Sequence, residues 1–170
     1  LNLGKLINND QLGTLTMDGS VEGTGFDIDK LKMNMVATIH SIEYNNYNYK
    51  NIHTDADLQK SLFKGHIDIA DSNLTMRVDG LLDYRDTEKI LQVNVVCEKA
   101  KLKNLHLNAF NKDLLVKTNL TLDFKGTEID DAYGNGYLTN SYLLYDGNKE
   151  IFIDTLHLVS DIKNDTVRSI

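Results

Sequence analysis

The stretch FKGHIDIADSNLTMRVDG, Phe63 to Gly80, alternates apolar and polar residues on both sides of a short polar turn. Phe63, Gly65, Ile67 and Ile69 interleave with Lys64, His66 and Asp68. Beyond Ala70-Asp71-Ser72-Asn73 the alternation resumes, with Leu74, Met76 and Val78 set against Thr75, Arg77 and Asp79. A period of two gives each strand one apolar face and one wet face. The pattern predicts a hairpin, and it raises the question of what covers the apolar side.

The surrounding chain offers more strands of the same kind. LTMDGSVEG (Leu15 to Gly23) and KLKMNMVATIH (Lys30 to His40) precede the hairpin, as does YKNIHTDADL (Tyr49 to Leu58). After it come ILQVNVVCEK, LLVKTNLTLDFKG, GNGYLTNSYLLY and KEIFIDTLHLVS. The separators carry turn chemistry: Asn45-Asn46, Asp71-Ser72-Asn73, Asn111-Lys112-Asp113 and Asp146-Gly147-Asn148. Short strands at this spacing pair with their sequence neighbours as an antiparallel meander. The chain also contains no proline, which fits continuous sheet because proline removes a ladder donor. AKLKNLHLNAF, Ala100 to Phe110, reads as a short turn leading into a strand.

Register follows from turn placement. A turn between Asn46 and Tyr47 opposes Tyr44 to Tyr49; a turn between Gln59 and Lys60 and one centred on Ser72 complete the set. The predicted rows are Ser41, Ile52, Ile67, Met76; then Ile39, Thr54, Gly65, Val78; then Ala37, Ala56, Phe63, Gly80. Every row is apolar or small, so one face gathers the apolar residues. The same register puts His40, His53 and His66 in one wet row beside Arg77. Strands about 4.8 Å apart would hold the outer two imidazoles about 10 Å from each other, so a solvated row is expected and no metal.

The 170 residues suffice for one domain with a core. A net charge of −7 and a pI near 5.1 argue against nucleic acid and anionic membrane surfaces, which call for a basic patch. The single cysteine, Cys97, sits in the apolar run VNVVC and reads as a small buried hydrophobe. The carboxylates fall in turns or on wet faces, and no serine occupies a nucleophile elbow. GTGFD and GNG lack the strand–loop–helix context of phosphate sites. DADLQKS and EIDDAYGNG are acidic but lack calcium-loop spacing and read as surface turns. The sequons at Asn73, Asn119 and Asn164 are ordinary in an asparagine-rich chain. No catalytic constellation and no cofactor site emerges, so the expectation is a protein that is not an enzyme.

The order of these motifs resembles the AsmA-like translocation and assembly module (TamB) family in its Bacteroidota form. The resemblance rests on VEGTGF (Val21 to Phe26), YNNYNYKNI (Tyr44 to Ile52), FKGHIDIADSNL (Phe63 to Leu74) and GLLDY (Gly80 to Tyr84). VCEKAKLKNLHL, Val96 to Leu107, looks like a closing A-x-L-x-x-L-x-L unit, and LNLGKL at Leu1 to Leu6 looks like the end of a preceding one. The chain begins in mid-pattern and is expected to be an internal segment: residues 1–10 ending one unit, 13–108 forming a repeat-like unit, and 109–170 starting the next. The resemblance implies a protein anchored in the inner membrane that crosses the periplasm as a curled, half-open β-groove. Its apolar concave face would carry phospholipid acyl chains, and other parts of the full protein would work with an outer-membrane barrel of the BamA/TamA type in assembling outer-membrane proteins.

That reading assigns the groove lining to Met33, Met35, Ala37, Ile39, Ile52, Phe63, Ile67 and Ile69. It adds Met76, Val78, Val93, Val95, Val116, Leu120 and Leu122, each for apolar contact. Phase shifts at Ile28–Leu31 and Ile39–Ile42 are expected to be bulges, and glycines 65, 80, 126 and 136 to relieve crowding on the concave face. The exposed strand edges could pair with another copy. The rival reading is a closed β-sandwich, an adhesion or carbohydrate-binding module of the cell surface, in which two apolar faces cover each other.

Overall fold

The computed structural model describes residues 1–2, 4–5, 9–24, 32–107, 112–127, 131–163 and 167–169, and side chains as far as Asp161. They form one antiparallel sheet whose strands follow chain order without a crossover. The strands are β1 (Leu12–Thr24), β2 (Lys32–Tyr44), β3 (Tyr47–Gln59), β4 (Leu62–Ala70) and β5 (Leu74–Asp83). Then follow β6 (Lys89–Lys101), β7 (Leu114–Gly126), β8 (Tyr133–Tyr145), β9 (Lys149–Lys163) and the short β10 (Val167–Ser169). β1 and β10 lie at opposite edges, so the sheet is not closed into a barrel. The strands pack substantially only on their sequence neighbours. A closed sandwich is therefore not formed: its second sheet is missing among the described residues.

Tight turns set the register. Asn45 and Asn46 both hold positive φ, 52° and 61°, the backbone of a two-residue hairpin turn matching the strand twist. Tyr44 consequently opposes Tyr47, not Tyr49, and Ile39 opposes Ile52. The next two hairpins shift by the same two residues, with Ile52 opposite Ile69 and Ile69 opposite Met76. The rows expected from sequence are thus displaced by one pair in each hairpin. A shift of two keeps every side chain on its own face, so the division into apolar and wet sides stands.

A belt of irregularities crosses the sheet at one level. The ladder shifts at Thr16/Met17 between β1 and β2, at Thr75/Met76 between β5 and β6, and at Cys97/Ala100 and Lys117/Asn119 farther on. Asn51 in β3 and Asn140 in β8 sit at the same level with φ of 53° and 50°. Bulges bend a strand and invert its alternation. Ile39 and Ile42 consequently both join the apolar cluster across the expected phase shift, as do Tyr49 and Ile52 on β3. The Ile28–Leu31 shift lies outside the described residues.

The glycine pair Gly65–Gly80 shows how the apolar face is spaced. A Cβ on Gly65 would stand 2.6 Å from the Ala56 Cβ and 2.6 Å from the Asp55 carbonyl oxygen. A Cβ on Gly80 would meet only the Phe63 ring edge at 3.4 Å. Phe63 leans over Gly80, and Phe124 leans over Gly136 in the same way, at 3.4 Å. Gly65→Ala is therefore expected to destabilise by about 1–3 kcal/mol, as overpacking does, and Gly80→Ala by much less. Urea denaturation of the two variants checks this; equal losses would show that Ala56 gives way.

Candidate functional site

The apolar face is the candidate site, and it can be followed row by row. Ile39, Ile52, Ile69, Met76 and Cys97 lie across five strands. The next row is Ala37, Thr54, Ile67, Val78, Val95, Leu120, Leu138 and Leu156. Beyond it run Met35, Ala56, Gly65, Gly80, Val93, Leu122, Gly136 and Leu158. Met33, Leu58, Phe63, Leu82, Leu91 and Phe124 form the outermost row. Val116 lies opposite Ala100 on the other side of the belt. All the residues assigned from sequence to an apolar lining thus share one face. Leu58, Leu82, Leu91, Phe124, Leu138, Leu156 and Leu158 belong to it as well, since strict alternation extends through them.

Burial along this face is uneven. Ile52, Leu74, Cys97 and Ala100 are buried, while Ile67, Val78, Val93 and Leu120 are only half-buried. On β9 the face is bare: Leu156 is 57% exposed and Leu158 45%. No second layer covers the half-buried rows among the described residues.

The buried part has a local cover that the sequence reading did not foresee. The turn from Leu102 to Leu107, between β6 and β7, folds back over the face toward β3. Leu105 has no exposed surface and joins Tyr49, Ile52, Leu74, Cys97 and Ala100 in one cluster. The Tyr49 hydroxyl donates to the Leu105 carbonyl at 3.2 Å. The Asn45 amide donates to the His106 carbonyl at 2.8 Å, and His106 Nδ1 lies 3.0 Å from the Asn45 carbonyl. Asn104 donates to the Asn73 side chain at 3.0 Å. Leu105 and Leu107 are therefore not in the strand expected there; Ala109 lies outside the described residues. The available signal was the spacing in A-x-L-x-x-L-x-L, whose three-residue step breaks the period of two.

The cover rests on a polar clip. Asp71 is buried, accepts from the Tyr47 hydroxyl, and receives the backbone amides of Lys50 and Asn73 at 3.1 and 2.8 Å. Burial, with the Asp71 hydrogen bond, pushes the Tyr47 hydroxyl above its ordinary pKa. Cys97 is buried as expected, and burial pushes its thiol up. The Asp71 bonds hold the β4–β5 turn in shape, and the Cys97 thiol lies 3.9 Å from the Val116 carbonyl on β7.

No family model, curated protein or solved structure matches the chain. The site has to be read from its own chemistry. It presents hydrocarbon over several strands, without a buried side-chain polar atom lacking a partner among the described residues. Such a surface suits an apolar ligand.

The wet face corrects the histidine row. His53 lies opposite Thr38 and Asp68, and His66 opposite Asp55 and Asp79. His40 turns instead to Asp18, 2.7 Å away on β1. The three imidazoles do not share a row because each turn is centred one residue away from the position expected from sequence, which moves every partner by two. Among the described residues no group of three or more histidines, cysteines or carboxylates is arranged to hold a metal ion. Of the acidic stretches, residues 128–130 lie outside the described residues.

His66 instead bridges two carboxylates, Asp68 at 2.6 Å and Asp79 at 2.7 Å, and Arg77 Nε donates to Asp68 at 2.9 Å. The Asp68 bond, then the Asp79 bond, raises the His66 pKa, and the His66 bond lowers that of Asp68. A raised histidine stabilises fully below its unfolded value of about 6.5, and that share is lost as pH climbs through the folded value. The Asp68 share is present above about pH 4 and is lost as pH falls through its depressed value. The thermal-stability advantage of the wild type over His66→Gln is therefore expected to be larger near about pH 5.5 than near about pH 9. Melting curves across that range check it, and parallel curves would remove the coupling.

Proposed function

We propose that this chain is a stretch of lipid-conducting β-groove, a non-enzymatic segment of a TamB/AsmA-like protein that spans the periplasm from an inner-membrane anchor. The observation that supports it most is the apolar face running from β2 to β9, which beyond the Leu102–Leu107 turn has no second layer over it among the described residues. A single-layer sheet that leaves such rows half-exposed loses the hydrophobic stabilisation that a second layer gives. Acyl chains restore it, at about 0.8 kcal/mol for each methylene removed from water. Methionines 33, 35 and 76 suit the task, because an unbranched thioether adapts to chains of varied position.

The opposite face fits the same reading. It carries Asp18, Asp55, Asp57, Asp68 and Asp79 in its ladder positions and stays in water. A lipid therefore meets one face only, and the acidic face keeps anionic headgroups at a distance. In this reading the assembly partner, an outer-membrane barrel of the BamA/TamA type, engages other parts of the full protein.

A photo-crosslinking residue at Ile67, on the apolar face, is expected to yield phospholipid adducts in cells. The same residue at Asp68, one position along and on the wet face, is expected to yield none. Adducts at neither site, in cells where the protein is functional, would overturn the conduit reading.

A further inference from the structure

Among the described residues the Leu102–Leu107 turn is the one element that crosses the apolar face, and a bare groove has no use for it. Its Leu105 is the only large side chain among the described residues with essentially no exposed surface, and it comes from a turn and not from a strand. Beneath it the floor is complete. Ile52, Leu74, Cys97 and Ala100 continue the rows that lie open beside them, with Ile69 and Met76 packed against the same cluster.

We propose that this strap is a displaceable stopper, with Leu105 occupying in this form a place that an acyl chain takes when the groove is loaded. The proposal rests on the groove reading above and adds a control to it. The strap is tied down differently from the sheet. Between its ends it has no ladder partner, and it is pinned to β3 and two turns by the Asn45, Tyr49 and Asn73 contacts. The Asn45 and Asn73 contacts are exposed and exchange with water at small net cost, leaving the buried Tyr49 bond, whereas a strand ladder opens only as a unit. The floor exposed by opening is wholly apolar apart from the Tyr49 hydroxyl, so it accepts hydrocarbon and offers nothing to a charged group. Leucine for acyl chain is an exchange of like for like, and small differences in affinity decide which one is seated.

The strap can be locked. Asn73→Cys with Asn104→Cys joins two turn residues whose side chains now share a hydrogen bond at 3.0 Å, and leaves the apolar floor unchanged. Transfer of a phosphatidylethanolamine with a fluorescent acyl chain, from vesicles to the protein, is the readout. The oxidised form is expected to load at least about tenfold more slowly than the reduced form, with the reduced form close to wild type. Wild type that loads while oxidised and reduced forms load equally would overturn the stopper and leave the groove. Wild type that takes up no lipid would overturn the groove reading itself, and the stopper with it. Cys97, the only cysteine, gives a lipid-free measure. Asn104→Ala combined with Tyr49→Phe removes pins and spares the apolar floor, and is expected to speed alkylation of Cys97 by N-ethylmaleimide about tenfold or more. An unchanged rate would show that these contacts do not hold the strap shut, and would overturn the proposal.

Discussion

Cross-strand register is the constraint on which the rest of the molecule depends. In a sheet of one layer, a slip by a single residue moves a strand's whole apolar set to the wet face. Among the described residues no second layer is present to correct the error by packing. The chain meets the constraint with turns that admit few alternatives. Asn45 and Asn46 take the left-handed conformation together, and Asp146 and Gly147 do so at the β8–β9 turn. Asparagine, aspartate and glycine visit that region more readily than other residues, so the turn sequences select the hairpin length. Once those lengths are set, the pairing of Ile39 with Ile52 and of Ile67 with Val78 follows.

Bulges complicate the requirement, because each one inverts the alternation of its own strand. They are harmless only when neighbouring strands invert at the same level. That is how they are arranged here. The shift beside His40 in β2 faces the left-handed Asn51 in β3, and the shift after Cys97 in β6 aligns with the one that includes Asn140 in β8. β4 and β5 meet at their turn just there and need no bulge. The consequence is a sheet that bends along one line while its faces stay pure. Ser141, at that line on β8, is only 3% exposed, and its hydroxyl is shared with Thr118 at 2.6 Å.

Most of the architecture was legible because period-two alternation is a strong signal and the turns are chemically marked. The Leu114–Phe124 alternation became β7, over Leu114–Gly126. Which side each residue faces was legible too, for Met33 through Leu122. The exact cross-strand partner was not. Turns centred one residue apart preserve the same facing, so hydrophobic pattern alone cannot separate them, and the histidine row depended on that difference. The strap was illegible for another reason. Leu102, Leu105 and Leu107 satisfy a helical step and a strand step in part, and neither pattern reveals that a single turn reaches back to a residue sixty-one positions earlier, as His106 does to Asn45. Long-range contacts made by backbone carbonyls leave little trace in side-chain composition.

Strap and belt together divide the apolar face into regions of different character. Over β3 to β6, near the bend, protein covers protein, and Tyr47, Asp71 and Asn73 form a clip that keeps the supporting turn in shape. Toward β7, β8 and β9 the neighbouring rows have no cover among the described residues, and Leu156 and Leu158 stand more exposed than any apolar residue beneath the strap. A uniform core gives no reason for such a gradient. A ligand-bearing face does, because the stretch left bare by the chain is the stretch where burial of hydrocarbon yields the most, and the roofed stretch is where the chain has already taken that gain for itself.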